Sequence, residues 1–246
     1  MEKTTRLVEY YRQEDGQPII GASTATIFYS QCGEDLEVYV DFISKNKDYF
    51  RDNGTYIEVG GSDGVKFSNT KFFEDELGFT GILIEPEPQF FNLLQKTRPN
   101  NHLYNCLISE SHNPQNFIVS KGPGGGWVSG MEKTMSEGHK LSWHNENSLV
   151  SKIQTEKISS IVKISGLKYI DLFFIDVEGA EEEVLNTVDF DLPIYVVVVE
   201  LDGSNIIKDN RCRNILNKNG FTLHKKVGLS DIWYNKNYFD IRGQIR

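Results

Sequence analysis

The chain predicts a doubly wound α/β sheet, mostly parallel, closed by a C-terminal antiparallel hairpin. Three observations carry that expectation. Apolar, β-branched runs alternate with helical patterns, as they do where crossover helices join parallel strands. Two of the runs, residues 169–176 and 193–200, are apolar almost throughout, which suits strands covered on both faces. The first run, 56–59, breaks at Gly60-Gly61 and again at Gly64 before a helical stretch. Open α/β sheets build ligand sites in this way, at the carboxyl ends of their strands.

Composition sets the outer bounds. With 246 residues, 39% hydrophobic and 25% charged, the chain suits one large globular domain with a sizeable core. There is no run of about 18 apolar residues, so no transmembrane helix is expected. The opening residues 1–6 lack the apolar core of an export signal, which points to the cytoplasm. A net charge of −9 argues against a general nucleic-acid binder. Cys32, Cys106 and Cys212 are odd in number and far apart, neither a disulfide framework nor a zinc pattern, as in a reducing compartment.

In chain order, residues 1–29 read as an arm laid over the domain, with a short helix over 5–12 interrupted by Gly16, Pro18 and Gly21. A single domain is expected over 30–246. It opens at Ser30-Gln31-Cys32-Gly33-Glu34-Asp35, whose oxygens and charges suit a helix start. The helix that follows places Leu36, Val40 and Ile43 on one face. After the first strand and its glycine turn, Phe67, Phe72, Phe73 and Leu77 take the apolar positions of a helix. A second strand, 81–85, ends at Glu85, and Pro86 and Pro88 bracket the entry to a helix carrying Phe90, Leu93 and Leu94. Residues 103–109 read as a third strand and 116–120 as a short extra one.

Residues 121–150 change character, with a glycine run and then a polar stretch holding His139, Trp143 and His144. A loop of this length is commonly a lid or substrate segment. Order resumes over 153–164. The strand 169–176 ends at Asp176-Val177-Glu178-Gly179, and Glu181, Glu182 and Glu183 open a helix. The strand 193–200 again ends in an acid, and a helix over 205–218 is closed by Asn219-Gly220. Residues 221–227 and 231–237, around Gly228, form the closing hairpin.

The chemistry lies in the acids. The dinucleotide fingerprint Gly-x-Gly-x-x-Gly serves a pyrophosphate. Here the turn reads Glu58-x-Gly60-Gly61-x-Asp63-Gly64. Its carboxylates repel a pyrophosphate and suit a cofactor carrying an ammonium and a sulfonium. Glu85 stands at about the spacing of a ribose-binding carboxylate. The two strands together read as a site for S-adenosylmethionine. Glu58, Glu85, Asp176 and Glu200 all close strands at the edge where such sheets bind ligands.

Four segments carry a resemblance. They are Ser30-Gln31-x-Gly33-Glu34-Asp35, residues 56–64 with Ser68-Asn69-Thr70, Gly81-Ile82-x-Ile84-Glu85-Pro86, and Ile175-Asp176-Val177-Glu178-Gly179-Ala180-Glu181. In these the chain resembles the FkbM family of class I S-adenosylmethionine-dependent methyltransferases, whose sheet is Rossmann-like. The resemblance implies that Glu58 and the turn Gly60, Gly61, Asp63 and Gly64, with Ser68, hold the methionine end of the cofactor. It implies that Glu85, followed by Pro86, takes the ribose hydroxyls. Cys106 to Ser109 would border the adenine, Gln31 would reach the cofactor, and Asp176 would lie beside the transferable methyl group. The family mostly methylates hydroxyls of small molecules and sugars.

An alcohol is a poor nucleophile while protonated, so a base or a metal should assist. In one version Asp176, Glu178 or His144 accepts the hydroxyl proton. In the other, Asp176 and Glu200, with Asp202, bind a divalent cation such as magnesium, calcium or manganese. Plainer roles are a helix cap for Glu178 and a solvent-facing loop position for His144. Two other classes stay open: an NAD-dependent oxidoreductase on the same sheet, and a non-catalytic nucleotide-binding module. The turn lacks the third glycine of the former. Methylation of a base amine is disfavoured, because Asp-Val-Glu-Gly replaces an Asn/Asp-Pro-Pro-aromatic turn. The expectation is a cytoplasmic O-methyltransferase for a sugar, glycan or other small metabolite, with no nucleic-acid or membrane partner.

Overall fold

The computed structural model describes residues 19–20, 27–50, 54–122 and 124–243. The expected helix over 5–12, and most of the arm around it, lie outside those residues. The main sheet has seven strands: β1 (Thr55–Val59), β2 (Thr80–Ile84), β3 (His102–Tyr104), β4 (Ile170–Ile175), β5 (Ile194–Glu200), β6 (Thr222–Val227) and β7 (Ser230–Tyr234). Their order across the sheet is β6-β7-β5-β4-β1-β2-β3. The five strands from β5 to β3 run parallel, and β7 pairs antiparallel with both β5 and β6. The predicted mostly parallel sheet with a terminal hairpin is therefore present.

Side chains alternate between two buried faces, as the pleat requires. On one, Ile57, Ile82, Phe173, Ile175, Val197 and Val199 pack under Ile161, Val184, Leu185, Cys212 and Leu216 from three helices. On the other, Tyr56, Leu83, Leu172, Phe174 and Val198 pack under Phe28, Phe42, Phe72, Phe73, Leu94 and Tyr238. The sequence pattern missed the short helix Tyr238–Arg242. It is anchored at the foot of the sheet, where buried Asp171 accepts from the Tyr238 hydroxyl and pairs with Arg242 at 3.0 Å.

The structure departs from the predicted elements where local polar contacts override periodicity. The helix opening at Glu34 is α-helical only to Val38 and widens into a π turn over Tyr39–Ile43. That extra residue rotates Val40 off the expected apolar face, leaving it 39% exposed. The helix after the glycine turn begins only at Lys71. Phe67 precedes it with φ of 62° and forms an isolated bridge with Ser30. Leu93 is exposed whereas Leu94 is buried. The predicted strand 103–109 is two pieces. Asn105 Nδ2 donates to the carbonyls of Glu85 and Pro86 at 2.8 and 3.0 Å, and the chain leaves the main sheet there. Leu107–Ile108 then pairs with Thr155–Glu156.

The described residues of 121–150 carry secondary structure of their own. Gln115–Val119 is the centre of a three-stranded antiparallel sheet with Gly130–Met131 and Leu149–Ile153. Between them lie a 3-10 turn, Gly125–Val128, and a helix, Glu137–Trp143, whose first turn is capped by Ser136 Oγ accepting from the His139 N–H. Phe117, Met131 and Ile153 form a small core with Ala180, tying this layer to the end of β4. Among the described residues, no helix is long and apolar enough to cross a membrane.

Candidate active site

Strand order reverses between β1 and β4, so the crevice opens at their carboxyl ends. The two backbones touch there. The Asp176 N–H donates to the Val59 carbonyl at 3.1 Å, and Gly60 follows with φ of 94°. A Cβ on Gly60 would stand 1.9 Å from the Asp176 carbonyl oxygen, so only glycine fits. A cleft of about 370 Å³ begins at this junction, within the usual range for small-molecule sites.

At one end the cleft is lined by Gln31, Gly60, Gly61, Ser68, Glu85, Pro86 and Cys106, all expected from the sequence. At the other stand Asp176, Glu178, Glu200 and Asp202. Five expected residues do not line it, each for a local reason. Glu58 turns under the loop, where its carboxylate accepts from Ser68 Oγ, the Asn69 N–H and Thr70 Oγ1. Asp63 closes the turn by accepting from the Val65 and Lys66 N–H groups. Gly64 packs against Leu94 and Arg98. Ser109 donates to Glu183 at 2.7 Å. His144 is half-buried outside the cleft lining, and burial, then the neighbouring His139, lowers its pKa.

The histidine that does line the cleft is His139. Its Nε2 lies 3.0 Å from the Val128 carbonyl, which can only accept, so Nε2 carries the proton. Nδ1 faces Glu178 Oε2 at 3.5 Å. The sequence held a signal for this choice. Ser136 caps a helix whose third residue is His139, whereas His144 follows its last turn. Also missed were Phe67, Phe90 and Trp127, which meet over the cleft with ring centroids 4.9 Å (Phe90–Trp127) and 6.4 Å (Phe67–Trp127) apart. Lys66 rests its ammonium 4.6 Å from the Trp127 ring, and among the described lining residues it is the one Lys or Arg.

Crowded charge governs the acids. Burial pushes Glu85 up to about 8 despite N–H donors from Glu87 and Ser62. At the other end Asp176, Glu178 and Glu200 each offer an oxygen, all within 4.8 Å of one another, a grouping able to hold a cation. Without one they repel. The charge of Asp176, then burial, raises Glu200 to about 11, while burial and Asp176 raise Glu178 to about 9. Burial raises Asp176 as well, so the three carboxyls hold protons more tightly than isolated ones do. Glu178 sits in the left-handed region, φ 53°, a conformation that costs about 1–3 kcal/mol and clusters at functional sites.

The residues present fit S-adenosylmethionine. Each Glu85 oxygen holds one backbone N–H, from Ser62 at 2.8 Å and Glu87 at 2.7 Å, which leaves each a lone pair for a ribose hydroxyl. Cys106, Leu107 and Ile108 offer an apolar slot for a planar base. Ser62 Oγ and Asn69 Oδ1 line the cleft beside the glycine turn, both buried without partners, and suit an ammonium group.

Comparison with known proteins agrees. The model of the methyltransferase FkbM domain matches residues 58–223, about two thirds of the chain. No curated protein matches it in sequence. Among solved structures, similar chains include Aeropyrum pernix fibrillarin with natively bound S-adenosyl-L-methionine (8% identity, 93% of this chain and 100% of that one, TM-score 0.47). A TehB-like SAM-dependent methyltransferase from Corynebacterium glutamicum aligns at 9% identity over 83% of this chain and 87% of its own, TM-score 0.41. Precorrin-6y C5,15-methyltransferase from Geobacter metallireducens aligns at 13% identity over 80% and 86%, TM-score 0.39. The chain belongs to the methyltransferase FkbM domain family and is an S-adenosylmethionine-dependent methyltransferase.

Proposed function

We propose that the protein transfers a methyl group to a hydroxyl of a sugar, glycan or other small metabolite, with Asp176 as the base. One observation carries this reading: Asp176 stands in the cleft at the junction of β1 and β4, one of its oxygens grouped with those of Glu178 and Glu200 within 4.8 Å. The cofactor, when bound, supplies an activated methyl carbon open to in-line attack. What remains for the chain is to aim the acceptor oxygen and take its proton.

Asp176 suits the second task, since its pKa of about 6 lies near neutrality. Glu200 shares a hydrogen bond with Asp176 and fixes its orientation. His139 braces Glu178 from the opposite wall. Met131 and Trp143 offer an apolar surface to a sugar face. The acids make the acceptor end hostile to phosphate or carboxylate groups, which favours an uncharged acceptor. Residues 121–150, which bring Met131, His139 and Trp143 to the cleft, act as the acceptor-selecting insertion of a single domain spanning 30–246. A reducing cytoplasm suits the three cysteines, none of which forms a disulfide among the described residues.

A second reading keeps the geometry and replaces the protons of the Asp176–Glu178–Glu200 cluster with a divalent cation, which would lower the hydroxyl's pKa. Incubation with methyl-labelled cofactor and a panel of neutral sugars and glycosides tests both. Label is expected in a neutral hydroxylated acceptor and undiminished by EDTA. Loss of transfer in EDTA, restored by magnesium or manganese, would move the reading to the cation. Transfer only to amines would overturn both.

A further inference from the structure

Beneath the glycine turn lies a buried polar assembly that the methyl-transfer chemistry does not touch. Arg98, just past the helix Pro88–Thr97, has a side chain with 0% exposure. Its guanidinium donates to the Gly64 carbonyl at 3.0 Å, Ser68 Oγ at 3.2 Å, Thr70 Oγ1 at 3.1 Å and the Tyr56 hydroxyl at 2.7 Å, and it pairs with Glu74. The hydroxyls of Ser68 and Thr70, having accepted from Arg98, point their own protons at Glu58. The other Glu58 oxygen accepts the Asn69 N–H at 2.7 Å. Two hydroxyls thus relay between a buried cation and a buried anion, and each is locked in direction by having one proton to give.

Burying opposite charges is a poor way to gain stability, since desolvation offsets most of their attraction and apolar side chains of like volume do as well. What this pair achieves is placement. It grips the loop at Gly64, Ser68, Asn69 and Thr70, and two of those residues, Ser68 and Asn69, face the cleft. Asn69 Oδ1 is buried there with no hydrogen-bond partner, an acceptor awaiting a donor.

We infer that Asn69 recognises the ammonium at the amino-acid end of the methyl donor, and that Arg98, acting through Ser68, Thr70 and Glu58, is the positioning residue that holds it there. The inference rests on the methyltransferase reading of the cleft. It gives Glu58 a different task from the one its motif suggests: it tensions the loop and leaves contact with the ligand to Asn69.

The test is calorimetric titration of the full chain with S-adenosylhomocysteine and with 5′-methylthioadenosine, which keeps the adenosine and sulfur and lacks the amino-acid end. Arg98→Lys keeps the charge but cannot reach the same set of acceptors. It and Asn69→Ala are each expected to weaken S-adenosylhomocysteine about tenfold or more, and 5′-methylthioadenosine less than about threefold. Thr70→Val, which removes one relay hydroxyl, should shift the same ratio and answers for the brace if Arg98→Lys does not fold. Equal weakening of both compounds would reduce Arg98 to a structural role and overturn the inference, as would unchanged affinity in Asn69→Ala. A wild-type chain binding both equally well would overturn it alone. A wild type binding neither would overturn the donor site itself.

Discussion

The two ends of the cleft are built differently. The donor end is formed by the main sheet and its first turns, with nearly every polar group tied to backbone or to the Arg98 assembly. The acceptor end is formed where an inserted sheet and helix meet the tips of β4 and β5. It gathers three half-buried acids, a left-handed glutamate and a histidine on a carbonyl tether. The difference teaches that the donor end is braced before anything binds, leaving Ser62 Oγ and Asn69 Oδ1 for the ligand, whereas the acceptor end gathers crowded acids. Rigid positioning suits a ligand used in every turnover, and stored repulsion suits the place where a proton must move.

The largest effect expected on either end comes from the junction between them. Gly60→Ala places a methyl group against the Asp176 carbonyl and should cost about 3–5 kcal/mol. Thermal melting should then fall by roughly 10 °C, with both binding and turnover lost. A variant that melts like wild type would mean the two strand ends are not in contact.

Asp176→Asn should separate the ends. Turnover is expected to fall about 10²- to 10⁴-fold, while S-adenosylhomocysteine affinity stays within about threefold, read by single-turnover kinetics and calorimetry. Parallel losses in both would place Asp176 in donor binding. His139→Ala should raise the KM for the acceptor about tenfold with a smaller change in kcat, whereas His144→Ala should leave both within about twofold. The reverse ranking would restore His144 as the histidine of the site.

The smallest effect concerns pH. Glu85 is raised from 4.5 to about 8 and Glu178 from 4.5 to about 9, so the folded chain binds protons that the unfolded chain has released. Their stabilising contribution is whole below pH 4.5 and is lost as pH rises through the folded values. Calorimetric melting of the ligand-free protein should therefore decline from about pH 5 to pH 9, and Glu178→Gln should flatten that decline. A melting temperature that rises over this interval would contradict the crowding of the acids.

How much of this was legible in the sequence follows the same division. The order of strands and helices, the glycine turn and the places of Glu85 and Asp176 at strand ends are local patterns, readable because a strand, a turn and a helix are contiguous in the chain. Glu58 was misread because its partner Arg98 is 40 positions away and nothing in the motif says which way a strand-end acid points. His139 and His144 sit five apart in one polar stretch; the Ser136 cap marks His139 as helical, and the fold then brings it to the cleft. The aromatic cover of Phe67, Phe90 and Trp127 joins three distant segments, one of them in a backbone conformation that helical periodicity cannot anticipate.

The most direct measurement is a crystal structure of the protein with S-adenosylhomocysteine. The expected result has both ribose hydroxyls on Glu85, the amino group against Asn69, and the sulfur facing Asp176 across the Gly60 junction. A ligand seated elsewhere, or one that leaves Glu85 untouched, would contradict the account.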